Sequence, residues 1–419
     1  MNIHLINIRQ LVTVASLGKK MKCGSDMREL HIIENAGLIT AHNKIAWCGE
    51  MCDFPATNEH DVLAIDCTNK IVIPGFIDAH THVLFAGSRE EEFAMRADGF
   101  SYQDIAARGG GIVSTMSHVR TATKKELKKN ARKYLLQMLR QGTTSMEIKS
   151  GYGLDFHNEI KMLESIRELQ QEEFPTIVAT FLGAHAYPPE FRERKNEYVH
   201  LILDEMLPYV GEKHLAEFCD VFCETNYFSH NDARKILEKA QQCGMKLKLH
   251  AEELSNTAGA ELAAELRAVS VDHLEHISES GIRALQNVAK SDSPTIDVVL
   301  PGVSFNLNHQ YAPARALIDA GIPVAIASDI NPGSCMSSSM QLMLTIACTH
   351  MKMTPEEAIT AATLNAAAAI ARSADIGSLE AGKNADILVL DIPNYKFLPY
   401  HFGENHCKHV IKNGVLLEV

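Results

Sequence analysis

The stretch GFIDAHTHVLFAG, residues 75–87, sets two histidines one residue apart inside an apolar run. Side chains alternate between the faces of a strand, so Asp78, His80 and His82 share one face. The polar groups gather at the carboxyl end of the run, whereas IVIPGFI before it is almost wholly apolar. Hydrogen-bonded core histidines are the plain alternative. A same-face pair at a strand end favours a metal pair, with Asp78 read as an outer partner that orients a histidine.

Runs of the same kind recur along the middle of the chain: TTSMEIKS, TIVATFLGAH, CDVFCE, MKLKLHAEE, VSVDHLEHI, IDVVLPGVSFNL and PVAIASDIN. Between several of them lie helical patterns such as KKELKKNARKYLLQMLRQG, HNEIKMLESIRELQQ and NDARKILEKAQQCG, the last with an Asn-Asp start and a Gly stop. Strands alternating with helices or long loops predict an α/β protein, a (β/α)8 TIM-like barrel. A doubly wound open sheet is the runner-up.

The two ends read differently. GLITAHNKIAWCGE predicts a hairpin with an Asn43-Lys44 tip, and NADILVLDI and HVIKNGVLLEV predict short strands, the second broken by an Asn-Gly turn. The expected organisation is a small β-sandwich domain built from residues 1–68 and 375–419 around a barrel of residues 69–374.

The polar residues decide the function class. The carboxyl ends of the runs carry His80 and His82, then Glu147 and Lys149, then His185, then His250 with Glu252 and Glu253, then His273, and finally Asp329. In a barrel these ends converge on the rim where such folds keep their chemistry. Three imidazoles and a carboxylate, from His80, His82, His250 and Asp329, suit one cation of the zinc or iron type. Such an ion makes water acidic enough to ionise near neutral pH. Asp329 is the candidate to take the water proton, and His273 to polarise a carbonyl or shuttle a proton. Lys149 is read as structural or electrostatic, which keeps the site to a single metal. Lys246 and Lys248 share the parity of His250 and are expected to point into the barrel, paired with carboxylates. His276, His309 and His350 read as ordinary polar residues. The triple glycine at 109–111 lacks the lysine of a phosphate loop and reads as part of a mobile lid.

Composition narrows the alternatives. The 419 residues carry a formal net charge of -12, are 46% hydrophobic and 22% charged, and include ten cysteines without a CxxC pair. An acidic chain is a poor general binder of nucleic acid or anionic membrane. The apolar runs are too short to span a bilayer and the first residues are not of signal type, so a reducing cytoplasm is expected.

The PGFIDAHTH strand, the later strand-end histidine, the next histidine one strand on and the ASD before the last helices resemble the amidohydrolase superfamily. GSLEAGKNADILVLD is similar to the small sheet domain of many of its members. HTHVLFAGSREEEFAMRADGFSYQDIAARGGGI, EIKSGYGLD, FLGAHAYPPE, LHAEEL, VDHLEH and ASDINPGSC further resemble the imidazolonepropionase family. That resemblance implies hydrolysis of 4-imidazolone-5-propanoate to N-formimino-L-glutamate in histidine degradation, with one zinc or iron ion and a homodimeric assembly. It assigns the metal to the same four residues and adds Arg89, Tyr152, His185, Glu253, Asn331, Gly333 and Ser334 as substrate contacts, with Tyr102 a further one. A guanidinium at position 89 suits the propionate. His185 would donate to a carbonyl or carboxylate, and the NPGS turn would offer amides and a hydroxyl to the anion. Glu253 would hold a ring N–H or relay a proton. Another cyclic amidase or deaminase of the superfamily is the alternative function, because fold and metal do not fix the substrate. A barrel without catalysis, acting as a scaffold, is the alternative from another class.

Overall fold

The structure, a computed structural model, describes residues 2–56, 62–100, 109–172 and 175–418. Eight parallel strands follow one another in sequence order: β1 (Phe76–Asp78), β2 (Thr143–Lys149), β3 (Thr176–Ala184), β4 (Phe218–Cys223), β5 (Lys246–Ala251), β6 (Ser270–His273), β7 (Ile296–Val299) and β8 (Val324–Ile326). Six of the eight are buried at every residue. That is why they read as continuous apolar runs and not as alternations: a parallel strand is covered on both faces.

Helices return the chain between strands. Lys124–Arg140 opens with a Thr123/Glu126 capping box and buries Leu127, Ala131, Leu135, Met138 and Leu139, a single apolar stripe. His230–Gln242 is capped by Ser229, whose hydroxyl accepts from Asp232 N, so the start signal lies two residues before the expected Asn-Asp pair. The run 296–307 divides at Leu300: the strand ends at Val299 and Pro301 opens the helix Pro301–Leu307. Proline at a first helical position costs no backbone bond.

The barrel closes between β1 and β8 just beyond their carboxyl ends. Thr81 bridges Ile330 in parallel register, Asp329 N–H donates to His80 O at 3.0 Å, and His82 N–H donates to Ile330 O at 3.0 Å. Asp78 reinforces this seam. Its Oδ1 accepts from Ser328 N at 3.0 Å and its Oδ2 from the Ser328 hydroxyl. The expectation that Asp78 orients a histidine is therefore corrected: its oxygens go to the facing strand end, and other carboxylates serve the imidazoles.

The termini build one continuous sheet of eight strands. Its order is Val415–Leu417, Cys407–Lys412, Ile387–Leu390, Ile71–Pro74, Asn2–Val12, Ile32–Ala41 and Lys44–Glu50, with Val62–Asp66 beside the first half of Asn2–Val12. Leu5, Ile8, Leu38, Val72, Ile387 and Ile411 are fully buried in its core. Ile71–Pro74, counted with the barrel segment in the sequence reading, is hydrogen-bonded into this sheet, and the chain crosses to the barrel at Gly75. A Cβ there would lie 2.3 Å from Thr144 Oγ1, so only glycine allows the crossing. The hairpin tip falls on His42-Asn43, one residue before the expected position.

Removing Asp78 tests the seam. Asp78→Ala strands the buried N–H and O–H of Ser328 and should cost about 2–3 kcal/mol, read as a lower urea midpoint; an unchanged midpoint would show that the closure does not depend on this carboxylate.

Candidate metal centre and substrate cavity

The barrel interior beneath the rim is charged. Lys149 Nζ lies 2.7 Å from Asp220 Oδ2, 2.8 Å from Glu147 Oε2 and 3.7 Å from Asp272 Oδ2, all with fully buried side chains. Lys248 Nζ pairs with Glu147 Oε1 at 3.3 Å and donates to Ala79 O at 3.1 Å. Lys248 therefore points inward as expected. Lys246 does not: it sits at the exposed start of β5, with its ammonium 5.4 Å from the Phe218 ring centroid. Burial works against the Lys149 charge, but Asp220, Glu147 and Asp272 outweigh it and hold the amine protonated. Burial also opposes the Asp220 charge, yet His250 and Lys149 keep that carboxyl well below its usual range.

These carboxylates orient the imidazoles above them. His80 Nδ1–H donates to Asp272 Oδ2 at 2.6 Å, and Asp272 Oδ1 accepts from the Ser270 hydroxyl at 2.7 Å. His250 Nδ1 lies 2.9 Å from Asp220 Oδ2, and the His250 N–H donates to Asp220 Oδ1 at 3.0 Å. With Nδ1 turned to a carboxylate, Nε2 of each ring is free to face the rim. Asp220 and Asp272 escaped the sequence reading. Their signal was a lone aspartate inside a short apolar run, overshadowed in VDHLEH by the histidine beside it.

Above this layer the four expected ligands converge. His82 Nε2 is 3.4 Å from His250 Nε2 and 3.4 Å from Asp329 Oδ1, and His80 Nε2 is 3.5 Å from Asp329 Oδ1. His80 Nε2 and Asp329 Oδ1 are buried without a hydrogen-bond partner. A tetrahedral ion with ligand bonds of about 2.0–2.1 Å has ligand-to-ligand edges of about 3.4 Å. The spacing of these donors thus fits a single divalent ion. Burial first, then neighbouring cationic groups, push His80 and His82 well below the usual imidazole range, so both rings are neutral, as ligands must be. Burial first, then Glu253, pushes the Asp329 carboxyl well above its usual range, so a cation held beside it would stabilise the ionised form that a ligand needs.

A cavity of about 730 Å³ opens over the cluster, lined by His82, Arg89, Tyr152, His185, Glu253, His273, Asp329, Asn331, Gly333 and Ser334. Every sequence-predicted contact among the described residues reaches this cavity, although four of them behave differently from expectation. His185 Nδ1 is 2.9 Å from Gly151 O, which can only accept, and burial first, then His250, pushes its pKa down to about 3. The ring is neutral with its proton on Nδ1, so Nε2 is an acceptor, not the expected donor. Asn331 spends its side chain on its own turn: Oδ1 accepts from Gly333 N and Ser334 N, each at 2.8 Å, and Nδ2 donates to Asp329 O and Ser334 Oγ. The amides expected to bind the anion are thereby occupied.

Arg89 keeps its expected place at the rim. Glu253 faces the cavity with its carboxyl raised to about 7 by burial and then by Glu224, and its Oε2 is 3.8 Å from His273 Nε2. On the other side His273 Nδ1 lies 3.7 Å from Glu275 Oε2. His273 and Asp329 have left-handed backbone, at φ 82° and 51°, a strain of about 1–3 kcal/mol each that functional sites tolerate. His309 also lines the cavity, while His276 contacts Gln310 and His350 stacks on Tyr311. Tyr102 lies outside the described residues, whereas the triple glycine at 109–111 is described and leads directly into the helix Ile112–Thr121.

Among the described residues no helix is long and apolar enough to cross a membrane. The amidohydrolase family profile matches residues 71–417. An imidazolonepropionase of Alkaliphilus oremlandii is 47% identical over 99% of this chain and 98% of its own, and one of Porphyromonas gingivalis is 45% identical over 99% and 97%. A mutant atrazine chlorohydrolase of Arthrobacter aurescens, solved with zinc and atraton, shares the fold at a TM-score of 0.72 and 16% identity, over 99% of this chain and 95% of that one. Closed barrel, converging ligand set and full-length likeness agree: the chain belongs to the amidohydrolase family, among the imidazolonepropionases.

Proposed function

We propose that the chain hydrolyses the ring amide of 4-imidazolone-5-propanoate to N-formimino-L-glutamate, a step of histidine degradation. His80, His82, His250 and Asp329 hold one zinc or iron ion. The observation that carries this reading is Arg89 facing the same cavity as His82, His250 and Asp329. A cationic clamp beside a metal centre suits a small ring that bears a carboxylate arm, and relatives of that name match the whole chain.

When bound, the ion supplies Lewis acidity and a water made nucleophilic at neutral pH. The protein does the rest. Arg89 grips the propionate, Tyr152 lays its ring and hydroxyl along the heterocycle, and bare Nε2 of His185 accepts a ring N–H. Asp329 takes a proton from the attacking water, and His273 steadies the charge that grows on the carbonyl oxygen. The new bond joins the water oxygen to the ring carbon, and the ring C–N bond breaks. Glu253, poised close to neutrality, delivers a proton to the departing nitrogen. The acid formed gives its proton to the basic amidine that the opening releases, so the product carries two carboxylates and one amidinium at unchanged net charge. The same reading takes the protein as a cytoplasmic homodimer; ten unpaired cysteines suit a reducing compartment.

The direct test is ring opening of imidazolone propionate, assayed against hydantoin, dihydroorotate and guanine with metal measured on the same sample. Turnover of one of the competitors in preference would replace the proposed substrate. Asp329→Ala should lose turnover and weaken metal binding. Arg89→Ala should raise KM about 10–100-fold, the worth of a charged hydrogen bond, and an unchanged KM would remove the clamp. Asp220→Asn or Asp272→Asn should weaken metal affinity about 10–100-fold in chelator competition; unaltered affinity would deny these carboxylates their orienting role.

A further inference from the structure

Arg89 does not stand free in the cavity. Its Nε–H donates to Glu92 Oε1 at 2.9 Å and its Nη2–H to Glu92 Oε2 at 2.7 Å, a side-on fork between side chains only 9% and 10% exposed. Glu92 is itself tied down, because Oε1 also accepts the Gly111 N–H at 3.0 Å. On the opposite side the guanidinium lies against Gly333, where a Cβ would sit 2.2 Å from Nη1. The cation is thus wedged between a carboxylate and a bare backbone.

A guanidinium has five N–H donors. Glu92 takes the Nε edge and one Nη2 hydrogen, which leaves the two Nη1 hydrogens and the other Nη2 hydrogen. That remaining end-on edge matches a second carboxylate. We propose that Glu92 is a positioning residue for substrate recognition: it fixes which edge of Arg89 meets the propionate. The proposal rests on the reading that Arg89 receives that group. Without Glu92 the long side chain regains rotamers that turn the fork away, and ordering it again on binding costs affinity. Glu92 also offsets part of the Arg89 charge, so selection depends on the geometry of the fork more than on attraction for any anion.

A merely structural Glu92, serving only to anchor Gly111 ahead of the helix, predicts a different pattern. The experiment compares Glu92→Gln and Glu92→Asp with wild type as full-length, metal-loaded enzyme. KM and kcat are read on imidazolone propionate and on the unsubstituted imidazolone ring. Glu92→Gln should raise KM for the propionate substrate about 5–30-fold with kcat held within about threefold, and should leave kcat/KM for the bare ring within the same margin. Glu92→Asp, which keeps the charge, should recover part of the loss, and it serves as the test if the glutamine variant does not fold. In an Arg89→Ala background Glu92→Gln should add less than about twofold, since the two act as one unit. Equal losses on both substrates, or the same penalty with Arg89 removed, would reduce Glu92 to a loop anchor and overturn the proposal. Wild-type enzyme that fails to open imidazolone propionate overturns the functional reading itself, and the proposal falls with it.

Discussion

One buried ammonium underlies the site. Lys149 has no exposed surface and sits among Glu147, Asp220 and Asp272. Three carboxylates gathered in a barrel core would otherwise repel one another and shed their charge by taking up protons. Lys149 helps to keep Asp220 ionised despite burial, and Asp220 and Asp272 face Nδ1 of His250 and of His80. That fixes ring orientation and turns two bare nitrogens upward. The metal centre is therefore assembled from below: ammonium, then carboxylate, then imidazole. Each layer is costly alone and is stabilised by the next, and the atoms left without a hydrogen bond at the top, His80 Nε2 and Asp329 Oδ1, are those that face the proposed ion.

The same residues also close the fold. The last hydrogen bonds of the barrel join the backbones of His80 and His82 to those of Asp329 and Ile330, so the ligands sit on the seam itself. A ligand on a loop could drift by an ångström; these cannot without opening the barrel. The arrangement accounts for the short reach of β1 and β8, of three residues each. Beyond those ends the chain leaves regular pairing and adopts the left-handed turn at Asp329 that aims its carboxylate inward. An ion bound as proposed between the two sides of the seam would hold the closure from above as Asp78 and Ser328 hold it from within.

Much of this was legible because the chemistry recurs at one phase of a repeated architecture. Histidines at the ends of successive apolar runs revealed the rim, and His80, His82, His250 and Asp329 could be gathered before any coordinates. What stayed hidden depends on contacts across strands or on local dihedrals. Asp220 and Asp272 look like isolated polar residues until the registers of β4, β5 and β6 set them beneath His250 and His80. Asp78 carries the same signal as those two and has a different task, because the seam that it serves is made by segments 250 residues apart. Lys246 and Lys248 share a strand face, but one lies at the open base of the barrel and the other in its core, a distinction of depth that parity does not encode. The tautomer of His185 and the self-satisfied Asn331 turn are set by backbone carbonyls and amides, to which side-chain pattern is blind.

The charge balance of the cavity follows from the reaction it has to accommodate. On the proposed function the substrate brings one carboxylate, and the product carries two carboxylates and an amidinium, within a protein whose formal net charge is -12. An unopposed Arg89 beside a divalent ion would hold the product by both carboxylates and slow its departure. Glu92 next to Arg89, and Asp329 beside the ion, would offset part of that attraction. On that reading recognition would fall to the directional part of the interaction, the fork of N–H groups and the ring contacts of Tyr152 and His185, which the substrate would satisfy before its ring opens and the product would lose once its geometry changes. A transformation that adds a second carboxylate would be served by a site whose cations are already partly offset.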